Sequence, residues 1–333
     1  MKDQKIRIGQ VGITNHGVTI LNAIRESSTL QLVSVLDIRT DEAERVSREL
    51  GIKQAKDYDE ILRDPAIDAV ALVTPNQLHA RQVEKAVKAG KHVFVEKPLA
   101  GTIAEAKKMI ARTKKAGLVL MVGHNTRRRR IFRRAKQILE SGQLGTIAGV
   151  EMNISRSAGL SNDVPSWKAN PRTTPLLPMT QLGIHFVDVL HYLFQTTTAS
   201  VSCFAANTAM SRGVLDSSTA ILQLASGVPV ALSSYYVIPD LYSVRIFGTG
   251  GILSCSESGV SLDLLRDGSL QRTSTEDSAG EGLASFVEEM NEFGECVRSG
   301  KKPETGGKEG LEALAVVEAM VRSVKTKRIV NVS

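Results

Sequence analysis

Between residues 6 and 122, short apolar runs alternate with helix-length amphipathic stretches, and this alternation leaves few possible folds. The runs Ile6 to Val11, Leu30 to Leu36, Ile67 to Val73, His92 to Val95 and Leu118 to Val122 read as strands. Most are closed by a glycine, an aspartate or a proline. The spacing predicts helices between them: one to about Ser27, one capped by Asp41 and stopping near Gly51, one from about Leu78 to Ala89 with Gly90 as its C-cap, and one from about Ile103 to Ala116 ended by Gly117. Apolar strands separated by single helices imply a parallel, doubly wound α/β sheet. In such sheets ligands bind at the carboxyl edge of the strands.

The residues at that edge carry chemistry. After the first strand stands Gly12-Ile13-Thr14-Asn15-His16-Gly17, which has the first and third glycines of the G-x-G-x-x-G dinucleotide fingerprint and a threonine at the second. Asp37 closes the second strand, twenty residues after Gly17, where an acidic side chain accepts from a ribose 2′-hydroxyl and favours NAD. Arg39, two residues on, would meet a 2′-phosphate, so NADP stays open as the alternative. The fourth strand runs into Glu96-Lys97-Pro98. A lysine held beside a cofactor there is a candidate for proton or hydrogen-bond chemistry, although a Glu-Lys pair that merely closes a strand in solvent has the same local pattern.

The second half reads differently. A long strand begins at Thr146 to Ile154, and a proline-dotted loop, Pro165 to Pro178, carries the single tryptophan, Trp167. A helix from Thr180 to Leu193 puts Gln181, His185 and Asp188 on one face at i, i+4 and i+7 spacing, among apolar residues that would equally suit a structural histidine. Strand-like runs follow at 200–205, 219–224, 228–237 and 244–247. Shorter strands, two helices (283–298 and 309–324) and a last strand at 328–332 complete the chain. This order predicts an α+β domain with a large, mostly antiparallel open sheet. The domains expected are 1–124 for the dinucleotide and 125–333 for substrate and self-association, the latter through the sheet's second face as a homodimer or homotetramer.

Composition narrows the class. Three widely spaced cysteines, Cys203, Cys255 and Cys296, predict neither a disulfide framework nor a zinc site, and point to a reducing compartment. No apolar run is long enough to span a membrane, and Met1 to Lys5 lead into the first strand without a signal peptide, so a soluble cytoplasmic protein is expected. Much of the net charge of +7 comes from Arg127, Arg128, Arg129, Arg130, Arg133, Arg134 and Lys136. Ile131, Ala135, Ile138 and Leu139 recur through the same stretch at helical spacing, so the basic residues read as a solvated helix face with its first arginines at a ligand. Charge alone does not argue for nucleic acid.

Together, Gly12-x-Thr14-x-x-Gly17, Thr74-Pro75-Asn76-x-x-His79, the strand through Val93-Phe94-Val95-Glu96-Lys97-Pro98 and Leu182-Gly183-Ile184-His185-x-x-Asp188 resemble the Gfo/Idh/MocA oxidoreductases, relatives of glucose–fructose oxidoreductase and inositol dehydrogenase. The resemblance extends over nearly the whole chain. It implies a Rossmann domain followed by an open-sheet domain, NAD or NADP as cofactor, and a sugar, sugar derivative or cyclitol oxidised at a secondary hydroxyl or reduced at a ketone. It implies catalytic roles for Lys97 and His185, with Gln181 beside them where many relatives carry aspartate. Gly12, Ile13, Thr14, Asn15, His16, Gly17, Asp37, Arg39, Thr74, Pro75, Asn76, His79, Glu96 and Lys97 would line the cofactor. His124, Asn125, Arg127 and Trp167 are candidates for substrate contact, and no metal is implied. Glutamine at position 181 keeps a second reading open, a dinucleotide-binding regulator or sensor without turnover.

Overall fold

The computed structural model describes residues 4–161, 164–165, 167–211, 213–277 and 281–332. Met1 to Asp3, expected to lead into the first strand, and Ser166 of the proline-dotted loop lie outside them. The chain divides into two compact units. One comprises Met1–Arg128 and Gly282–Leu311, the other Arg129–Glu281 and Glu312–Ser333.

The first unit contains β1 (Ile6–Val11), α1 (His16–Glu26), β2 (Leu30–Leu36), α2 (Thr40–Leu50), β3 (Lys53–Gln54), α3 (Tyr58–Arg63), β4 (Ala69–Leu72), α4 (Asn76–Lys88), β5 (His92–Glu96), α5 (Ile103–Lys115) and β6 (Leu120–Gly123). The six strands form one parallel sheet in the order β3-β2-β1-β4-β5-β6. Strand order reverses between β1 and β4, so the crevice expected of a doubly wound sheet opens where Gly12 and Val73 leave those strands. β4 and the interior of β5 are buried on both faces, which is why they read as continuous apolar runs.

Local chemistry sets several boundaries. Thr102 caps α5 by accepting from the Glu105 amide, and its hydroxyl donates to the Glu105 carboxylate. Gly51 ends α2 at φ 63°, in the left-handed region. Asp41 lies inside the first turn of α2 rather than capping it, since Thr40 is already helical. The short β3 and α3 give no periodicity in sequence, and the third predicted strand shortens from 67–73 to Ala69–Leu72. Asp57 starts α3 by accepting from the Glu60 amide at 2.7 Å.

α8 (Ala284–Ser299) belongs to this first unit and buries Met290, Phe293 and Cys296 with Ile8, Leu30 and Phe94. The Phe94 and Phe293 rings meet edge to face at 6.0 Å. Gly294 is required for this approach, because a Cβ there would lie 2.3 Å from Thr29 Oγ1.

The second unit contains α6 (Arg130–Glu140), β7 (Ile147–Ser155), α7 (Ile184–Phe194), β8 (Thr198–Ala206), β9 (Ser217–Leu224), β10 (Pro229–Tyr235), β11 (Leu241–Gly248), β12 (Gly251–Ser256), β13 (Gly259–Arg266), β14 (Ser269–Asp277) and β15 (Val330–Asn331). α9 (Gly307–Thr326) starts in the first unit and ends in this one. Nine strands form one sheet, β14-β13-β12-β11-β7-β10-β9-β8-β15, antiparallel except for β7 beside β10. Side chains alternate strictly: Val150, Met152, Val230, Leu232, Val244 and Ile246 point into the core, while Thr219, Ile221, Ser233 and Arg245 lie on the other face. Phe132, Phe186 and Tyr242 form an aromatic cluster in that core, with ring centroids 4.7 to 6.1 Å apart.

The basic stretch is only in part the solvated face expected from its charge: Arg130 is exposed and Arg134 pairs with Glu276 at the surface, but the others are drawn inward. Arg127 and Arg128 are buried in the first unit. In the second, Arg129 pairs with Glu281 at 2.5 Å and covers the Tyr242 ring, Arg133 donates to the Tyr192 hydroxyl, and buried Lys136 donates to the Leu193 carbonyl. The partners come from segments far along the chain, which local helical periodicity cannot reveal.

Candidate active site

In the first unit the site is built around the turn from β1 to α1. Gly12 takes φ 86°, and a Cβ there would lie 2.3 Å from the Val73 carbonyl oxygen. A Cβ on Gly17 would lie 2.4 Å from the Gly12 carbonyl oxygen. Only glycines let this turn close against the end of β4. The turn is tied from beneath by Gln10, whose side-chain amide donates to the carbonyls of Gly12 and Gly17 at 2.9 and 2.8 Å. Sequence pattern alone does not assign Gln10 this role. The signal available was a polar residue inside an otherwise apolar strand, two positions before the glycine.

Asp37 is drawn into the same turn. Its Oδ2 accepts from the Ile13 amide at 2.8 Å and the Thr14 hydroxyl at 3.2 Å, and its Oδ1 accepts from the Arg39 amide at 2.9 Å. Thr14, standing where the fingerprint has glycine, thus spends its hydroxyl on the acidic residue. The Arg39 guanidinium is exposed and has no partner among the described residues.

Thr74, Pro75 and Asn76 follow β4. The Thr74 hydroxyl donates to Gln82 Oε1 at 2.6 Å. Asn76 is buried, and its Oδ1 has no hydrogen-bond partner among the described residues. His79 is fully buried, with Nδ1 3.0 Å from the Pro98 carbonyl and Nε2 2.9 Å from the Thr74 carbonyl. It braces the two strand ends against each other. Burial pushes its pKa below the ordinary value, although both carbonyls and the charge of Glu96 oppose this.

Glu96 ends β5. It is buried, with Oε1 3.2 Å from His16 Nε2 and Oε2 accepting from the Lys97 amide at 3.1 Å. Burial alone would push its carboxyl up. The charge and hydrogen bond of His16, then the charge and amide of Lys97, outweigh that and hold it below the usual carboxylate value. Lys97 is half-buried, and its bond to Pro98 is cis. Beyond β6, His124 is fully buried, Asn125 donates to the Ser285 hydroxyl at 3.0 Å, and Arg127 lies 3.8 Å from Glu304. Those last two contacts tie the turn after β6 to the returning segment.

These features fit a dinucleotide. The glycines leave bare backbone at the start of α1, where no side chain caps the helix and no acidic residue stands in the first turn, an arrangement suited to a pyrophosphate. Asp37 Oδ1 retains a lone pair for a ribose hydroxyl, and the buried Asn76 Oδ1 is free to accept from a ligand donor.

In the second unit, Met179–Gly183 form a π-helical turn ahead of α7. Gln181 lies in that turn, whereas His185 and Asp188 lie in α7, so the regular α spacing does not carry across position 183. Gln181 and Asp188 are buried and His185 is half-buried. Trp167 is half-buried; its carbonyl accepts from the Thr173 and Thr174 hydroxyls, and Lys168 lies over its ring at 5.4 Å. Among the described residues, no group of three or more His, Cys, Asp or Glu side chains is placed to hold a metal ion. No helix among them is long and apolar enough to cross a membrane.

Comparison with known proteins agrees with this architecture. The family model described as an oxidoreductase family with an NAD-binding Rossmann fold matches residues 6–124, and the GFO/IDH/MocA C-terminal domain model matches residues 132–254. The chain is 27% identical to myo-inositol 2-dehydrogenase of Thermotoga maritima, over 98% of each chain. It is also 27% identical to D-apiose dehydrogenase of Paraburkholderia graminis, over 93% of this chain and 85% of the other. Among solved structures, levoglucosan dehydrogenase in complex with NADH superposes with a TM-score of 0.88 at 21% identity, covering 99% of this chain and 100% of the other, a likeness of fold. The chain therefore belongs to the GFO/IDH/MocA family of oxidoreductases.

Proposed function

We propose that the protein moves a hydride between a nicotinamide dinucleotide and a secondary hydroxyl, or the corresponding ketone, of a sugar, sugar derivative or cyclitol. The observation that carries this reading is the half-buried Lys97 at the end of β5, in the same unit as the glycine turn and Asp37. The relatives named for inositol and apiose support the substrate class. When bound, the dinucleotide supplies the hydride acceptor or donor. Gly12, Gly17 and the first turn of α1 hold its pyrophosphate, and Asp37 meets its ribose. Lys97 hydrogen-bonds the reacting oxygen and stabilises negative charge as it develops. His185 takes the hydroxyl proton during oxidation and returns it during reduction, and Gln181 orients the substrate as an uncharged hydrogen-bonding group. NAD is the cofactor we favour, because Asp37 stands at the end of β2. Arg39 is the residue that would receive a 2′-phosphate if NADP is used as well.

A spectrophotometric screen at 340 nm, with NAD and NADP against sugars, sugar acids and cyclitols, tests this reading. Turnover of at least one compound is expected. Tight dinucleotide binding with no turnover across the panel would replace the enzyme with a sensor.

We also propose that the protein works in the cytoplasm as a homo-oligomer that pairs the outer faces of the nine-stranded sheet. Three buried free cysteines suit a reducing compartment. On the outer face Phe204 is 68% and Ile221 53% exposed, beside a polar ladder of Thr219, Ser233 and Tyr235. Sedimentation equilibrium at micromolar concentration is expected to give at least a dimer, and Phe204→Glu to shift it towards monomer. A wild-type monomer at that concentration would refute the assembly.

A further inference from the structure

We propose that His16 is a positioning residue for Lys97: its imidazole holds the Glu96 carboxylate in the orientation from which Glu96 accepts the Lys97 amide. The inference rests on the catalytic reading of Lys97 given above and adds a residue to it. Nothing in phosphate binding requires histidine at position 16, since a dinucleotide turn at this point uses backbone amides. The ring is nevertheless committed on two sides. Nε2 lies 3.2 Å from Glu96 Oε1, and the Phe286 ring meets the imidazole at 5.7 Å with its plane turned by 61°.

The carboxylate has little freedom of its own. Its side chain is 7% exposed, against 44% for His16. On β6, a Cβ at position 123 would lie 2.6 Å from Glu96 Oε1, so only glycine lets the carboxylate rest there. The charged or titratable groups acting on Glu96 are His16 from α1, Lys97 beside it and His79 from α4. Of these, His16 and Lys97 hydrogen-bond it. Removing the imidazole leaves a buried Oε1 without its donor, and a carboxylate in that state turns to find another. Oε2 then leaves the Lys97 amide, and the backbone that aims the lysine loosens.

The test uses the full chain and the variants His16→Ala, His16→Gln and Lys97→Met. Glutamine keeps an N–H donor at position 16. Hydrogen exchange read by mass spectrometry over the peptide containing His92 to Leu99 is expected to quicken about tenfold at the Lys97 amide in His16→Ala, the loss of one hydrogen bond, and to return most of the way in His16→Gln. With the compound turned over in the 340 nm screen, kcat is expected to fall about tenfold in His16→Ala, with the KM for NAD within about twofold, a split that marks lost transition-state contact. Unchanged exchange at Lys97 in His16→Ala overturns the inference. So does faster exchange spread through the whole first unit, which would show a purely structural role. So does local loosening that leaves kcat intact. Normal turnover in Lys97→Met would instead remove the catalytic reading, while the exchange measurement would still decide whether His16 holds the strand end.

Discussion

Lys97→Met is expected to lower turnover by about two to three orders of magnitude, the scale of losing one charged hydrogen bond to a developing oxyanion. Methionine keeps the unbranched stem, and the backbone amide that donates to Glu96 is untouched. The His16–Glu96 contact and the glycine turn should therefore survive. Calorimetric titration with NAD should accordingly give a dissociation constant within about threefold of wild type, since uniform binding is not what this change removes. His185→Ala should show the same pattern if it is the proton acceptor. Near-normal turnover in either variant would take that residue out of the mechanism.

The largest stability effect is expected at Arg128. Its side chain is 0% exposed, as is that of Glu289, which it meets at 3.2 Å. The same guanidinium donates to Glu292 at 2.5 Å, to the Thr305 hydroxyl at 3.2 Å and to the His124 carbonyl at 3.1 Å. It joins the turn after β6 to α8 and to the turn before α9. Arg128→Ala leaves Glu289 buried without its cation, at a cost of about 3–5 kcal/mol. Urea unfolding of the variant should show that loss. Arg128→Met combined with Glu289→Leu should recover most of it, because a buried ion pair contributes little over apolar side chains of similar size. A single variant as stable as wild type would show that the network is dispensable.

How legible each part of the molecule was depended on how local its cause is. The parallel sheet could be read from β4 and β5, because strands buried on both faces must be apolar throughout, and from the single helices that separate them from β1 and β2. Gly12 and Gly17 could be read because the clash each avoids lies within the turn or at the next strand end. β3 and α3 were illegible, since two strand residues and six helical ones carry no period. The π-turn at Met179–Gly183 was illegible for a related reason: its apolar residues fit a straight helix equally well. Arg127 and Arg128 are buried and Arg129 half-buried despite their charge, and their partners, Glu281, Glu289, Glu292 and Glu304, lie 150 or more residues away, beyond the reach of local pattern.

The fold class, the glycine turn suited to a dinucleotide and the strand end that carries Lys97 are all written in the amino-acid pattern. Hydrophobic period, the spacing of two glycines and a charge at a strand terminus are local patterns, even though the clash that Gly12 avoids is with Val73. What those residues touch emerges from the packed chain alone. Asp37 is held by Ile13, Thr14 and Arg39, Glu96 by His16, and Arg128 by a helix that returns from the far end of the chain. Burial makes such contacts strong, and burial is a property of the packed chain that no local stretch of sequence contains.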